Sequence, residues 1–403
     1  MEISKSIIKN LQGEFGEAFY LLDSLQFRKN FVELKESFNQ IYPRSNIAYS
    51  YKTNYTPKLC KIVNELGGYA EVVSEMELEI AKRVGCKANR IIWNGPIKNV
   101  PIMEQFLLDG GTVNIDCQEE LLQVQEICEQ HQDKLITVGI RCNYDVNDGV
   151  VSRFGYDING RDFKKAVEFA TSTKNVKLIN FQCHFAKRQI DYWPARARGM
   201  VELIDKLGII PERIDIGGGL FGKMADSLKA QFRTEIPDYQ AYAESAAKVF
   251  ADYFSDKDVK PELLIEPGSA LVGDCMKFVA TVKTIKNVRG KWIATALGSQ
   301  KNISMIGINP PMEVVSMGEE QKDYNDLDFV GFTCIEGDVL YHNYTGKLAH
   351  QDVIIISNCG SYSLVMKPPF ILPNFPVLDI CEGRTEVIKR AENFDDLFHT
   401  FNF

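Results

Sequence analysis

From residue 46 to residue 268 the chain alternates between two hydrophobic rhythms. Short runs rich in β-branched and aromatic residues read as strands: NIAYSYK, YAEVVS, RIIWNG, TVNID, LITVGIR, KLINFQCHF, RIDIGG and ELLIEPG. Between them lie longer stretches with helical periodicity, among them TPKLCKIVNELG, SEMELEIAKRVG, EELLQVQEICEQ, FKKAVEFATS, ARARGMVELIDKLG and YQAYAESAAKVFADYF. Several of these end in glycine, which readily takes the left-handed conformation that closes a helix. Eight strands in alternation with helices predict an α/β fold, a (β/α)8 barrel of TIM type spanning residues 24–268.

Beyond residue 268 the rhythm changes. KFVATVKTIKNV, KWIATAL, FVGFTC, DVLYHNY, DVIIIS and VLDICEG follow one another without long helices between them. They predict a second, mainly antiparallel β domain over residues 269–403, completed by residues 1–23 through the strand around AFYLLD.

A barrel of this kind carries its active site at the C-terminal ends of its strands. Those ends hold Lys52, Ser74, Asn94, Asp116, Arg141, His184, the run Gly217-Gly218-Gly219, and Glu266. Lys52 is the sharpest of these, because NIAYSYKTN ends a run fit for the inside of a sheet in an ammonium, and stripping water from a cation is costly. A ring of polar side chains around one mouth is what a small-molecule site needs.

Composition narrows the chemistry. The 403 residues are 45% apolar and 25% charged, which describes a folded chain with material for two domains. A formal net charge of −8 argues against a nucleic-acid partner, which favours a basic patch. No run of eighteen apolar residues occurs, and the N-terminal stretch lacks a basic start followed by an apolar core, so no membrane association is expected and the location read is cytoplasmic. Ten cysteines are scattered without CxxC or metal-ligand spacing, so most read as small core residues in a reducing compartment, and no metal site is expected.

Seven motifs then stand in one order: YSYKTN, SRFG, CHF, IDIGGG, IEPG, FTCIEGD and CGSY. In that order they resemble the pyridoxal 5'-phosphate enzymes of the alanine-racemase-like barrel class (fold type III). Within that class the resemblance is to the decarboxylases acting on diaminopimelate, ornithine, arginine and carboxynorspermidine, and it covers nearly the whole chain. It implies an alanine-racemase-like fold and a cofactor held by Lys52 as an imine, in a desolvated site that eases exchange with a substrate amine. It implies further that Gly217, Gly218, Gly219 and Tyr362 meet the cofactor phosphate, that Gly268 also binds the cofactor, that His184 stacks on the ring, and that Arg153, with Arg141 as a weaker candidate, lies near it. Glu266 then keeps the pyridine nitrogen protonated, and a strong electron sink favours loss of CO2. Cys334 returns a proton to the substrate carbon, from a loop that in this family enters the neighbouring subunit's site, so a homodimer with shared sites is implied.

Some positions depart from the family pattern. Relatives commonly place a serine three residues after the histidine, where this chain has Lys187. Diaminopimelate decarboxylases usually show arginine directly after EPG and glutamate directly after the cysteine, and ornithine enzymes place an aspartate after that cysteine; here Ser269 and Ile335 stand there. Asp338 and Glu336 remain as acidic groups for a distal amine, with Lys187 and Arg188 for a carboxylate, and Ser269 beside them. The leading reading is an amino-acid decarboxylase of polyamine or other specialised biosynthesis, with a substrate either free or tethered to a carrier protein. A racemase or epimerase on the same scaffold stays open, although Glu266 and Cys334 argue against it. So does a non-catalytic homologue, which Lys52, Glu266 and Cys334 make the weakest of the three.

Overall fold

The computed structural model describes residues 3–305, 307–367, 369–381 and 383–403. Residues 1 and 2 of the N-terminal stretch and residue 382 within VLDICEG lie outside the described residues. The chain divides into two compact units, one of residues 28–222 and 234–270, the other of residues 1–27, 223–233 and 271–403. Residues 223–233, expected within the barrel, group instead with the second unit.

The first unit is a closed barrel of parallel strands: β1 (Ser45–Ser50), β2 (Tyr69–Val72), β3 (Ile91–Trp93), β4 (Thr112–Ile115), β5 (Ile136–Asn143), β6 (Val176–Gln182), β7 (Arg213–Asp215) and β8 (Glu262–Ile265). Each pairs with its successor, and β8 closes on β1 through Leu263 opposite Ser45 and Ile265 opposite Ile47. Most strand residues are buried, as expected of a sheet covered on both faces. The strands are shorter than their sequence runs. They stop before Lys52, Asn94, Asp116, His184 and Glu266, which therefore stand on the turns just beyond the strand ends, whereas Arg141 lies inside β5.

The helices follow their apolar stripes and local caps. Ser74 accepts a hydrogen bond from the Glu77 N–H at the start of Glu75–Arg83, and Asp238 accepts from Ala241 N–H at the start of Tyr239–Tyr253. Trp193–Leu207 begins with Pro194 in its first turn and ends at Gly208, which is left-handed at φ 65°. The helices Ser24–Ile41 and Val100–Leu108 complete the set around the strands.

The second unit holds a mixed sheet in the order Val339–Leu348, Lys322–Val330, Lys291–Ala296, Met276–Val288, Ala18–Leu22, Val377–Cys381, Arg384–Lys389, with Val353–Ser357 and Met312–Val315 branching from it. Two pairings are parallel, Ala18–Leu22 with Val377–Cys381 and Lys291–Ala296 with Lys322–Val330; the others are antiparallel. The expected strand FVGFTC is only half right. The strand ends at Val330, and residues 331–338 form a turn closed by the Gly331 N–H donating to the Asp338 carbonyl. The helix Lys5–Phe15 covers a core of Ile8, Leu11, Phe19, Leu21, Val279, Val353, Ile355 and Leu378. Among the described residues no helix is long and apolar enough to cross a membrane.

Candidate active site

The barrel mouth is organised around a residue the sequence did not single out. Glu71 lies within β2, its side chain 1% exposed, and accepts a hydrogen bond from Lys52 Nζ at 2.6 Å, so that the two form an ion pair. Ser50 Oγ donates to the same carboxylate oxygen, and Asn94 Nδ2 to the other at 3.1 Å. Burial alone would raise this carboxyl, but the Lys52 charge and these three donors hold it below its ordinary value. Lys52 itself sits on the single turn Tyr51–Thr53 after β1, with its side chain 37% exposed. The expected desolvated lysine is thus a lysine at the pocket surface with a buried counter-charge.

Asn94 extends the network to Glu266, donating to its Oε1 at 2.6 Å, and Gln182 Nε2 approaches the same carboxyl at 3.3 and 3.4 Å. Deeper in the barrel, Asn114 donates to Asn94 at 2.7 Å and Asn180 donates to Asn114 at 2.9 Å. A side chain at Gly139 would collide with Asn114 Oδ1, so the amide chain needs that glycine. Burial, and then the nearby charge of Glu71, push Glu266 up to about 7. Burial and then Glu266 push Asp215, at the end of β7, well above the carboxylate range. Two buried carboxyls whose charges disfavour one another resist ionising together.

His184 is partly exposed, and its Nδ1 accepts the Gly218 N–H at 3.0 Å, which leaves the ring proton on Nε2. Burial, followed by the charges of Lys52, Arg196, Arg141 and Arg188, keeps it neutral. The glycine loop does not present three free amides. Gly217 N–H donates to Asp215 Oδ1 at 2.9 Å and Gly218 N–H is taken by His184, whereas among the described residues no acceptor meets the N–H of Gly219, left-handed at φ 91°. Gly218 is needed for close approach, since a Cβ there would stand 2.1 Å from the Glu266 carbonyl oxygen. Gly268 is packed as tightly, its Cβ position 2.0 Å from Thr53 Oγ1.

The other expected residues separate. Arg141 is buried, ion-paired with Asp116 at 3.4 Å, and stands over the Phe154 ring at 4.6 Å. Arg153 is exposed and stacks on Phe154 at 4.1 Å. Ser74 is a correction: its hydroxyl caps a helix, as Glu77 does from the other side by accepting the Val73 N–H. Arg188 is half-buried, 5.7 Å over Phe221, and Ser269 opens the short helix Ser269–Val272.

In the second unit Cys334 is exposed on the turn after Lys322–Val330, unlike the core cysteine its sequence setting would also allow. Glu336 is exposed beside it. Asp338 is a second correction, because it is buried and its oxygens are taken by Ser299 Oγ at 3.0 Å, Gln300 N–H at 2.7 Å and the Thr333 hydroxyl. It pins the Cys334 turn and is not open to a substrate amine. Tyr362 is left-handed at φ 58°, a strained conformation for a bulky residue, at the start of Ser363–Met366.

A parallel barrel whose mouth pairs a reachable amine with a buried carboxyl, beside a loop offering an unclaimed amide, is built for an amine-capturing phosphorylated cofactor, and the donor set fits pyridoxal 5'-phosphate. The chain belongs to the pyridoxal-dependent decarboxylases: residues 28–273 match the family's pyridoxal binding domain. It is 25% identical to a diaminopimelate decarboxylase of Aquifex aeolicus over 96% of this chain and 92% of that protein. It is 27% identical to one of Bacteroides thetaiotaomicron, with 86% and 91% covered. The crystal structure of diaminopimelate decarboxylase from Methanocaldococcus jannaschii superposes with a TM-score of 0.86 at 21% identity, covering 98% of this chain and 94% of that one. The protein is a pyridoxal-phosphate-dependent amino-acid decarboxylase.

Proposed function

We propose that the chain removes the α-carboxyl group of an amino acid whose distal group differs from that of diaminopimelate or ornithine, as a step of polyamine or other specialised biosynthesis in the cytoplasm. The observation that carries the chemistry is the hydrogen-bonded line Lys52–Glu71–Asn94–Glu266, which sets an amine and a carboxyl tuned to about 7 at fixed positions in one pocket. Bound pyridoxal phosphate supplies the electron sink. Lys52 would hold the cofactor through its amine. Glu266 would hold the proton of the ring nitrogen, its carboxyl oriented by Asn94 and Gln182. Neutral His184 would cover a ring face with Arg141 and Arg153 near it, the loop Gly217–Gly219 and Tyr362 would hold the phosphate, and Gly268 would line the cofactor. Cys334 delivers the proton to the substrate carbon.

The departure in substrate rests on Ser269 and Ile335, which bring neither the arginine nor the acidic residue of the standard enzymes. Arg188, Lys187 and Glu336 remain as candidate contacts for the distal group. The exposed setting of Cys334 suits donation into the site of a second copy, so the working unit proposed is a homodimer with shared sites. The test is CO2 release by cofactor-loaded protein from a panel of free diamino, acidic and carboxylated-polyamine substrates in both stereochemical forms. Release from one member supports the reading. Deuterium exchange at Cα without CO2 release overturns it in favour of racemisation, and silence with cofactor bound transfers the proposal to a carrier-tethered substrate.

A further inference from the structure

Arg196, in the first turn of the helix Trp193–Leu207, is completely buried, and no site role described so far uses it. Among the described residues every hydrogen bond of its guanidinium goes to a backbone carbonyl, none to a carboxylate, and its Nε has no partner. A buried cation without a paired anion is costly and persists only where something offsets it. Its contacts show what it is aimed at. Nη1 donates to the carbonyls of Gly218 at 2.7 Å and Ile216 at 3.2 Å, and Nη2 makes longer contacts with the carbonyls of Phe185 and Lys187 at 3.4 and 3.5 Å. The cation therefore clasps the backbone of two loops, the one that follows β6 and carries His184, and the glycine loop that follows β7. Its plane is set by Trp193, with the guanidinium 4.3 Å over that ring.

The Gly218 carbonyl and the Gly219 N–H belong to one peptide unit and point in opposite directions across it. Arg196 thus grips, by its oxygen, the peptide whose N–H is the unclaimed one of the glycine run. A charged donor on a carbonyl polarises the amide and strengthens its N–H as a donor, and the planar guanidinium reaches both loops at once, Nη1 the carbonyls of Ile216 and Gly218 and Nη2 those of Phe185 and Lys187. We propose that Arg196 is the positioning residue of the phosphate site: from behind the loop it orients and polarises the Gly218–Gly219 peptide toward a phosphate dianion and supplies its buried counter-charge, with no direct contact to the phosphate. The proposal rests on reading the glycine loop as the phosphate site.

The experiment separates the two. Apoprotein is titrated with pyridoxal 5'-phosphate and with pyridoxal, which lacks the phosphate, following the visible absorbance of the bound cofactor. Folding of each variant is checked by circular dichroism. In the wild type the phosphate should tighten binding at least about a hundredfold. In Arg196→Gln that preference should fall by roughly tenfold or more with pyridoxal affinity within about threefold of wild type, and Arg196→Lys, which keeps charge but not the fork, should recover part of it. Inorganic phosphate should raise the melting temperature of wild-type apoprotein and do so less in Arg196→Gln. Folded variants that lose affinity for both ligands in parallel, or that keep the full preference, overturn the role of Arg196 alone. A wild type that does not distinguish the two ligands overturns the phosphate reading of the loop and this proposal with it. If neither variant folds even with saturating cofactor, Arg196 is a structural staple and the proposal fails.

Discussion

Lys52 and Glu71 form an ion pair of unequal partners: 2.6 Å separates ammonium from carboxylate, yet the lysine side chain is 37% exposed and the glutamate 1%. The carboxylate depends on the lysine more than the lysine depends on it, because only the buried member lacks water as an alternative partner. Lys52→Ala should therefore abolish the visible band of bound cofactor and also destabilise the apoprotein by roughly 1–3 kcal/mol. Adding Glu71→Gln should restore much of the stability without restoring the band. Thermal melts of the two variants check this; a single variant as stable as wild type would refute the dependence.

Glu266 gives the apoprotein a pH dependence of unusual sign. A carboxyl raised to about 7 in the folded chain binds its proton more tightly there than in the unfolded chain, so its contribution to stability is full below the ordinary carboxylate value and is lost as pH rises toward about 7. The loss is on the order of 3 kcal/mol at most. Denaturant unfolding at about pH 5 and pH 8 should show a smaller fall for Glu266→Gln than for wild type. Because the Glu71 charge contributes to the shift, Glu71→Gln should move the window downward. Equal falls in wild type and Glu266→Gln would show that this carboxyl does not titrate there.

Cys334 is exposed on its turn, so Cys334→Ala should leave the melting temperature unchanged within a degree or so while turnover falls by about a hundredfold. Mixing inactive Lys52→Ala chains with the weakly active Cys334→Ala chains should raise activity well above that of either alone through hybrid dimers. No recovery in mixtures shown to contain hybrids counts against shared sites.

Asp338 holds that turn through bonds to Ser299, Gln300 and Thr333. Asp338→Ala should cost roughly 2–3 kcal/mol and accelerate alkylation of Cys334 in native protein. If stability is unaffected and only the Michaelis constant rises, the residue contacts substrate after all.

Gly218 faces the Glu266 carbonyl oxygen at 2.1 Å from the position a Cβ would take. Gly218→Ala should displace the glycine loop from Glu266, weakening cofactor binding at least about tenfold and destabilising the fold by roughly 1–3 kcal/mol. Cofactor affinity at the wild-type level would mean that the backbone yields there without cost.

Strand and helix alternation makes the barrel legible in the sequence, because parallel strands covered on both faces need unbroken apolar runs and helices need a 3.6-residue stripe. The residues around the barrel mouth were legible for the same reason: Lys52, Asn94, His184 and Glu266 interrupt apolar patterns. That signal also misled, since a polar residue at a strand end can serve the next helix, as Ser74 does, and an acidic residue near a reactive thiol can serve its own turn, as Asp338 does.

The sequence by itself determined the fold class, the cofactor family and the positions at which polar groups gather, because these follow from local periodicity and from short motifs in a fixed order. Only the tertiary structure decided which of those groups meet. Glu71 and Asp215 lie within apolar strand runs and Arg196 within an amphipathic helix, and nothing local distinguishes them. Pairing of neighbouring strands brings Glu71 to Lys52 across 19 positions, barrel closure brings Asn94 to Glu266 across 172, and helix packing sets Arg196 beneath Gly218 across 22. A buried charge acquires meaning from its partner, and the partner is chosen by strand pairing, barrel closure and helix packing.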